Sequence, residues 1–401
     1  MAPRLLRVTA AVAVVLVVYG AGVVTGRFGL APDRSSGARS GSGTAGPPGA
    51  TGPSVVDQAA ERIATTAAHP VDRTALQRAA VQGMLNELGD PWSAYYPTRQ
   101  ADAFEQGLQG SYTGIGLWLR PTGPGEVPTV GAVQPGSPAD RAGLTAGDAL
   151  LAVDRVDVTS LPVDEVAQRL RGVGGTSVTL RVLTGDGVQE LTVPRVSIAT
   201  DEVSVEQVGR GVALVRVTAF TRGVGRSVRA ALAQMTPRPR GVVLDLRGNP
   251  GGLLDEAVEV ASVFLDGGPV VSYDRRGLPR TTLYALSRGD VHTPLVVLVD
   301  AATASAAEVV AAALQDRGRA VVVGTQTFGK GSVQEPSRLS DGSALELTVG
   351  RYYTPSGRVI DGVGVSPDVL VDSSAPAAFA ENRAVEVLTG LVAAAGASGR
   401  G

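Results

Sequence analysis

Residues 300–334 read DAATASAAEVVAAALQDRGRAVVVGTQTFGKGSVQ, and with the run LVVLV at 295–299 they decide the fold class. The LVVLV run has the length and β-branched content of a buried strand. Ser305 stands in the turn that follows. Residues 306–315 are apolar on nearly every side, as in a helix enclosed by its neighbours. A serine at a strand-to-helix turn lies beside backbone N–H groups that the helix leaves unpaired. Those donors and the positive helix end can stabilise an oxyanion. Ser305-Ala306-Ala307-Glu308 also fits a capping box, the structural alternative for this serine.

Downstream lies Lys330, the one lysine among 36 basic residues. Arginine stays protonated in proteins, whereas a desolvated lysine can become a neutral base. The arginine-for-lysine bias, with abundant Ala, Gly and Val, is typical of GC-rich coding, so rarity alone is a weak argument. At an ordinary pKa only about one lysine in 10³ is neutral near pH 7. A shift of roughly 3 units, about 4 kcal/mol, lies within what burial supplies. Phe328 is bulky and apolar, Gly329 and Gly331 let backbone crowd the lysine, and no carboxylate lies within four residues. A neutral amide such as Gln334, four residues on, can orient an amine without favouring its charged form. Asp316, at the end of the helix, reads as structural support.

A serine nucleophile needs a base. The two histidines, His69 in a polar turn and His292 before Thr293-Pro294, stand in unpromising settings, which leaves the serine–lysine variant. With no cysteine, disulfides and thiolate chemistry are excluded. A net charge of −2 without a basic patch argues against nucleic acid. No metal or cofactor is called for.

Residues 1–26 hold an uncharged, mostly apolar run at 8–25 preceded by Arg4 and Arg7. This predicts a membrane anchor with the remainder outside the cytoplasm, the alternative being a cleaved signal sequence. Residues 27–54 form a Gly/Ser/Pro linker. Residues 55–106 read as a small helical domain, with Ala80, Met84, Leu85 and Leu88 on one helix face and a turn at Gly89-Asp90-Pro91-Trp92. Residues 107–198 are β-rich, with strands at 115–119, 129–133, 149–153, 177–182 and 189–193 and a helix at 162–171. Residues 199–375 form an α/β unit with strands at 211–217 and 241–246. A Gly-rich turn, RGNPGG at 247–252, follows, then a helix at 253–264. That turn carries no phosphate-loop pattern and suits an oxyanion cradle better. Residues 376–401 carry a final helix and tail.

Gly114-Ile115-Gly116-Leu117 followed by GSPADRAGLTAGDALLAVDRVDV resembles a PDZ domain, which binds a peptide C-terminus as an added strand. That resemblance makes Gly114, Ile115, Gly116 and Leu117 the contacts for a substrate's C-terminus. LGDPWSAYY, LDLRGNPGGLL, TASAAEVVAAALQDRGRAVVVGTQTFGKGSVQ and DGSALELTVGRYYTPSGRVIDGVGVSPDV extend it. Together they resemble the carboxyl-terminal processing peptidases, or tail-specific proteases, over residues 55–395. The resemblance implies a Clp/crotonase-like α/β peptidase core with an N-terminal helical region and a mainly-β PDZ domain. It implies that Ser305 is the nucleophile, Lys330 the general base and Gln334 the third member. It also implies that the Gly251 and Ala306 N–H groups bind the oxyanion, with Glu308 retained beside the serine. Ala302, Ala304 and Ala307 depart from the serine-rich surroundings usual in the family. Arg195, between PDZ domain and core, is a candidate for coupling the two.

The expected protein is thus a serine endopeptidase of a bacterial cell membrane, its catalytic part extracytoplasmic, or secreted if the leader is cut. It would act on proteins or peptides with free C-termini; self-association is left open. Two rivals differ in class or mechanism: an inactive PDZ adaptor, and a chymotrypsin-like protease, for which the histidine and GNSGG-type motif are missing.

Overall fold

The structure, a computed structural model, describes residues 54–398 except Pro70, residues 121–125 and Arg210. The expected anchor at 8–25 and nearly all of the linker lie outside the described residues. Among those described, no helix is long and apolar enough to cross a membrane.

The chain opens with helices α1 (Val55–Thr66) and α2 (Arg73–Leu88), strand β1 (Ala94–Tyr96) and α3 (Thr98–Leu108). Ser54 and Asp72 cap the first two helices through their side chains. Gly89, in the left-handed region, stops α2. Of the face predicted on α2, only Leu85 is buried; Met84 and Leu88 lie in the open. The spacing is helical, but α2 meets too little of the molecule to cover it.

A β-rich unit follows: β2 (Ser111–Gly114), β3 (Leu117–Leu119), β4 (Val130–Val133), α4 (Pro138–Arg141), β5 (Ala149–Val153), β6 (Val156–Asp157), α5 (Val163–Leu170), β7 (Ser177–Thr184), β8 (Gly187–Pro194) and β9 (Val196–Ala199). Strands pair in the order β6-β5-β7-β8, with β2 on β9 and β3 on β4. The unit has a core of its own, in which Leu150, Val178, Leu180 and Val182 pack under Val166 and Leu170 of α5. Arg195, between β8 and β9, is buried. Its guanidinium donates to the carbonyls of Arg169 and Leu170, at the C-terminal end of α5, and of Ser177. It thereby ties α5 to the strand that leads out of the unit.

The remainder is β10 (Val203–Val208), β11 (Val212–Val217), α6 (Val224–Gln234), β12 (Gly241–Asp245), α7 (Leu254–Phe264), β13 (Pro269–Arg275), β14 (Leu278–Tyr284), β15 (Leu295–Val299), α8 (Ala306–Asp316), β16 (Val321–Gly324), β17 (Ser332–Arg338), β18 (Ala344–Tyr353), β19 (Val369–Leu370) and α9 (Ala377–Ser398). Six strands form one sheet in the order β10-β11-β12-β15-β16-β19. Only β10 runs antiparallel to its neighbour. Strands β12 and β15 are buried at every residue, which is why they read as unbroken apolar runs. Leu244, Val297 and Val322 face α6, α7 and α8; Val243, Val296 and Leu298 face Ala384 and Leu388 of α9. The sheet is thus covered on both sides, and its strand ends deliver the turns at 246–252 and 300–305 to one edge.

A second sheet runs β1-β18-β13-β14, with β17 also on β18. Strand β1 pairs residues 94–96 with 344–346. The N-terminal region therefore contributes a strand to a sheet otherwise built from residues 269–353.

Leu388 is fully buried against the sheet, where it fills the space beside Gly241. Leu388→Ala should lower the unfolding free energy by about 2–5 kcal/mol in urea denaturation, whereas Phe379→Ala, on the exposed side of α9, should change it by less than about 0.5 kcal/mol.

Candidate active site

Ser305 lies between β15 and α8 with φ 55° and ψ −120°, a backbone conformation that side chains other than glycine rarely adopt. Its surroundings hold it there. Asp300 accepts the N–H groups of Gly248, Ala302 and Thr303, and Thr303 Oγ1 donates to the Leu246 carbonyl. The two sheet-edge turns are thereby stitched together. Buried Asn249 adds another stitch: its amide donates to Val217 O, and its backbone carbonyl accepts Ala304 N–H. Gly251, at φ 107°, passes so close that a Cβ there would lie 2.8 Å from Ser305 Cβ. Ser305 is 1% exposed, and its hydroxyl has no hydrogen-bond partner.

The capping box predicted at 305–308 acts through its glutamate. Glu308 is fully buried and accepts Ser305 N–H at 2.9 Å. It also accepts the Thr327 hydroxyl at 2.5 Å and the N–H groups of Gly329 and Lys330 at 2.8 and 2.9 Å. One carboxylate thus binds the backbone of Ser305 and that of Lys330. Burial pushes its pKa up, and these four donors oppose the rise.

Lys330 is 5% exposed and Gln334 2%. A register shift between Val333 and Gln334 sets Gln334 opposite Thr348, whose hydroxyl takes its amide N–H at 2.7 Å. A second amide N–H goes to Ser332 Oγ at 3.1 Å. Gln334 Oε1 is buried without a partner. The Lys330 amine lies 4.9 Å from the centroid of the Trp92 ring. Burial pulls its pKa below the ordinary value, against the opposing pull of Glu346 and Asp90. Glu346 is pushed up by burial; the Tyr96 hydroxyl, 2.8 Å away, and Lys330 work against that rise.

Glu308 holds the backbones of Ser305 and Lys330 together, and Gly251 lies against Ser305 and Ala306, whereas Gln334 is buried on β17 with Ser332 and Thr348 as partners; neither Ser305 Oγ nor Gln334 Oε1 is hydrogen-bonded to the amine. The Gly251 N–H donates to Asn249 Oδ1 at 2.8 Å, while Ala306 N–H has no acceptor among the described residues. Asp316 sits at the far end of α8, where it accepts from Ser356 and pairs with Arg358. Both histidines are exposed. Gly114, Ile115, Gly116 and Leu117 lie apart from this place and line a cavity of about 310 Å³, facing Ala167 and Leu170 of α5. The N–H groups of Ile115 and Gly116 have no acceptor among the described residues. Gly116 has φ 86°, and a Cβ there would strike Ser137, so this turn needs glycine.

Trp92, Glu346 and the hub role of Glu308 were not foreseen. Trp92 stands inside LGDPWSAYY, a motif that carried the family resemblance without an assigned task.

Residues 211–371 match the family model described as Peptidase family S41, and residues 129–184 match a PDZ domain. The chain is 35% identical to the carboxy-terminal-processing protease of Bartonella bacilliformis, over 79% of this chain and 74% of that one. It is 36% identical to the chloroplastic carboxyl-terminal-processing peptidase 3 of Arabidopsis thaliana, over 72% of this chain and 59% of the relative's length. A crystal structure assigned to an S41 protease of Bacteroides fragilis shares the fold, with TM-score 0.51, 20% identity and coverage of 77% and 90%.

Replacing Glu308 with alanine would strand three buried N–H groups. Urea denaturation of Glu308→Ala should show a loss of about 3 kcal/mol or more, with faster amide exchange at Gly329 and Lys330.

Proposed function

This chain belongs to peptidase family S41, among the serine-type carboxyl-terminal processing proteases, and on that premise we propose that it hydrolyses peptide bonds near substrate C-termini with Ser305 as nucleophile and Lys330 as base. The observation that carries the assignment is a buried lysine amine whose proton affinity is lowered, anchored through Glu308 to the same helix start as a buried, unpartnered serine hydroxyl. Neutral Lys330 takes the hydroxyl proton as Ser305 Oγ attacks the scissile carbonyl. The carbon–nitrogen bond then breaks, and Lys330 returns the proton to the leaving amine. Water, deprotonated by the same amine, hydrolyses the acyl-enzyme ester. Gln334 Oε1, open and buried, is suited to accept from Lys330 and orient it. Ala306 N–H is available to the oxyanion, and Gly251 N–H joins it on turning from Asn249. The catalytic arrangement therefore requires movement of the Lys330 side chain and of the 249–251 turn. No metal or cofactor has a task in this scheme.

The 310 Å³ groove supports capture of the substrate's end: two unpaired N–H groups suit a carboxylate, and the apolar wall of Ile115, Leu117, Ala167 and Leu170 suits an apolar terminal side chain. Extracytoplasmic action from a membrane anchor at residues 8–25 remains part of the proposal. Fractionation of cells expressing the full chain checks it, membrane-bound and protease-accessible material being expected.

Ser305→Ala and Lys330→Ala should each abolish cleavage of an unstructured test protein, and amidation of that protein's C-terminus should slow cleavage by raising KM. Because Lys330 is shifted down, kcat/KM should rise with pH along an acid limb whose midpoint lies below lysine's ordinary 10.5. Full activity in Lys330→Ala would refute the base.

A further inference from the structure

We propose that Trp92 is a positioning residue for the base: its ring seats the protonated amine of Lys330 away from Ser305, and the amine reaches Ser305 Oγ and Gln334 Oε1 on leaving that seat. The inference rests on the assignment of Lys330 as base, but it adds a second position for the lysine and names a ring that favours it there. The amine is 4.9 Å from the indole centroid, inside the roughly 6 Å range of cation–π attraction. The two groups it would serve in catalysis are both buried and without partners, so it is on neither of them. The ring is firmly placed. Phe328, two residues before the lysine, packs edge-on against it with centroids 5.7 Å apart. Asp90 accepts Trp92 N–H and the Ser93 hydroxyl, and Ser93 Oγ accepts Thr348 N–H. Strand β1 then fixes the turn to β18.

The charge around the seat is one-sided. Asp90 approaches from the turn and Glu346 from β18, the latter held by the Tyr96 hydroxyl. On the backbone side lie Glu308, on Lys330 N–H, and Asp361, on Gly331 N–H. An aromatic face attracts an ammonium and does little for a neutral amine, so the seat selects by charge. When the ammonium gives its proton to water, the ring loses its hold. The neutral amine can then pair with the open hydroxyl and amide oxygen. The LGDPWSAYY segment thus acquires a task in the chemistry.

The test uses the fact that Lys330 is the only lysine. Lysine labelled with ¹³C at Cε gives a single side-chain signal in the full-length chain, and its titration can be followed by NMR in a Ser305→Ala background to avoid self-digestion. Removing the ring removes stabilisation of the charged form, so Trp92→Leu should lower the midpoint by roughly half to one pH unit, and Trp92→Phe by less. In enzyme with Ser305 restored, the acid limb of kcat/KM should move down by the same amount. Activity on that limb would then rise about three- to tenfold. If Trp92→Leu does not fold, Trp92→Phe carries the comparison. A midpoint that stays within about 0.2 units in the folded variants overturns the seat. If it stays put while Lys330→Ala is inactive, only the seat is lost. If Lys330→Ala cleaves normally, the base assignment is lost, while the NMR shift still reports on the seat.

Discussion

A single buried carboxylate holds the functional centre together. Glu308 bonds to the backbone of Ser305, the backbone of Gly329 and Lys330, and the Thr327 hydroxyl. Burying a carboxylate is expensive, and an acceptor with four donors is what makes it tolerable. The geometry has a second benefit. Glu308 is spent on backbone and hydroxyl donors, so it fixes where the lysine stands without forming a salt bridge to its amine. A carboxylate tied to the amine itself would raise the lysine's pKa and work against a base.

The sheet explains why those elements meet. Parallel strands enclosed on both faces deliver successive turns to one edge, and the turns at 246–252 and 300–305 are cross-linked by Asn249, Asp300 and Thr303. Gly251 permits the closeness, because any Cβ would collide with Ser305. The second sheet supplies the other wall. The register shift in β17 turns Gln334 inward, and β1 brings Trp92 and Tyr96 to the lysine from a distant part of the chain. The β-rich domain has a separate core, and the hydrogen bonds of its buried Arg195 to Leu170, Ser177 and Arg169 all stay within it.

Much of this was legible in the sequence because the local signals were strong. Strands β12 and β15, buried throughout, left unbroken apolar runs; the serine turn and solitary lysine stood out as candidates by their chemistry, and the family resemblance supplied their expected roles. Glu308 was legible as a cap, but its contacts with residues 327–330 were not. They depend on how the loop folds back onto the helix. The partnership of Tyr96 with Glu346 spans 250 residues, and no local period carries such information. Strand β14 is exposed or half-buried along its whole length and buries no face, so it gave no alternating strand pattern. On α2, periodicity overstated burial at Met84 and Leu88, since an apolar stripe records a face that can pack and not what packs on it.

In the proposed mechanism Lys330, by losing its proton, makes Ser305 reactive. A fluorophosphonate probe couples only to an activated serine, and peptide mapping by mass spectrometry locates the label. Modification is expected at Ser305 in the wild-type chain, with near-complete loss in Lys330→Arg, where the charge remains but cannot be surrendered. Labelling of Lys330→Arg at the wild-type rate, or modification of a different serine, would contradict it.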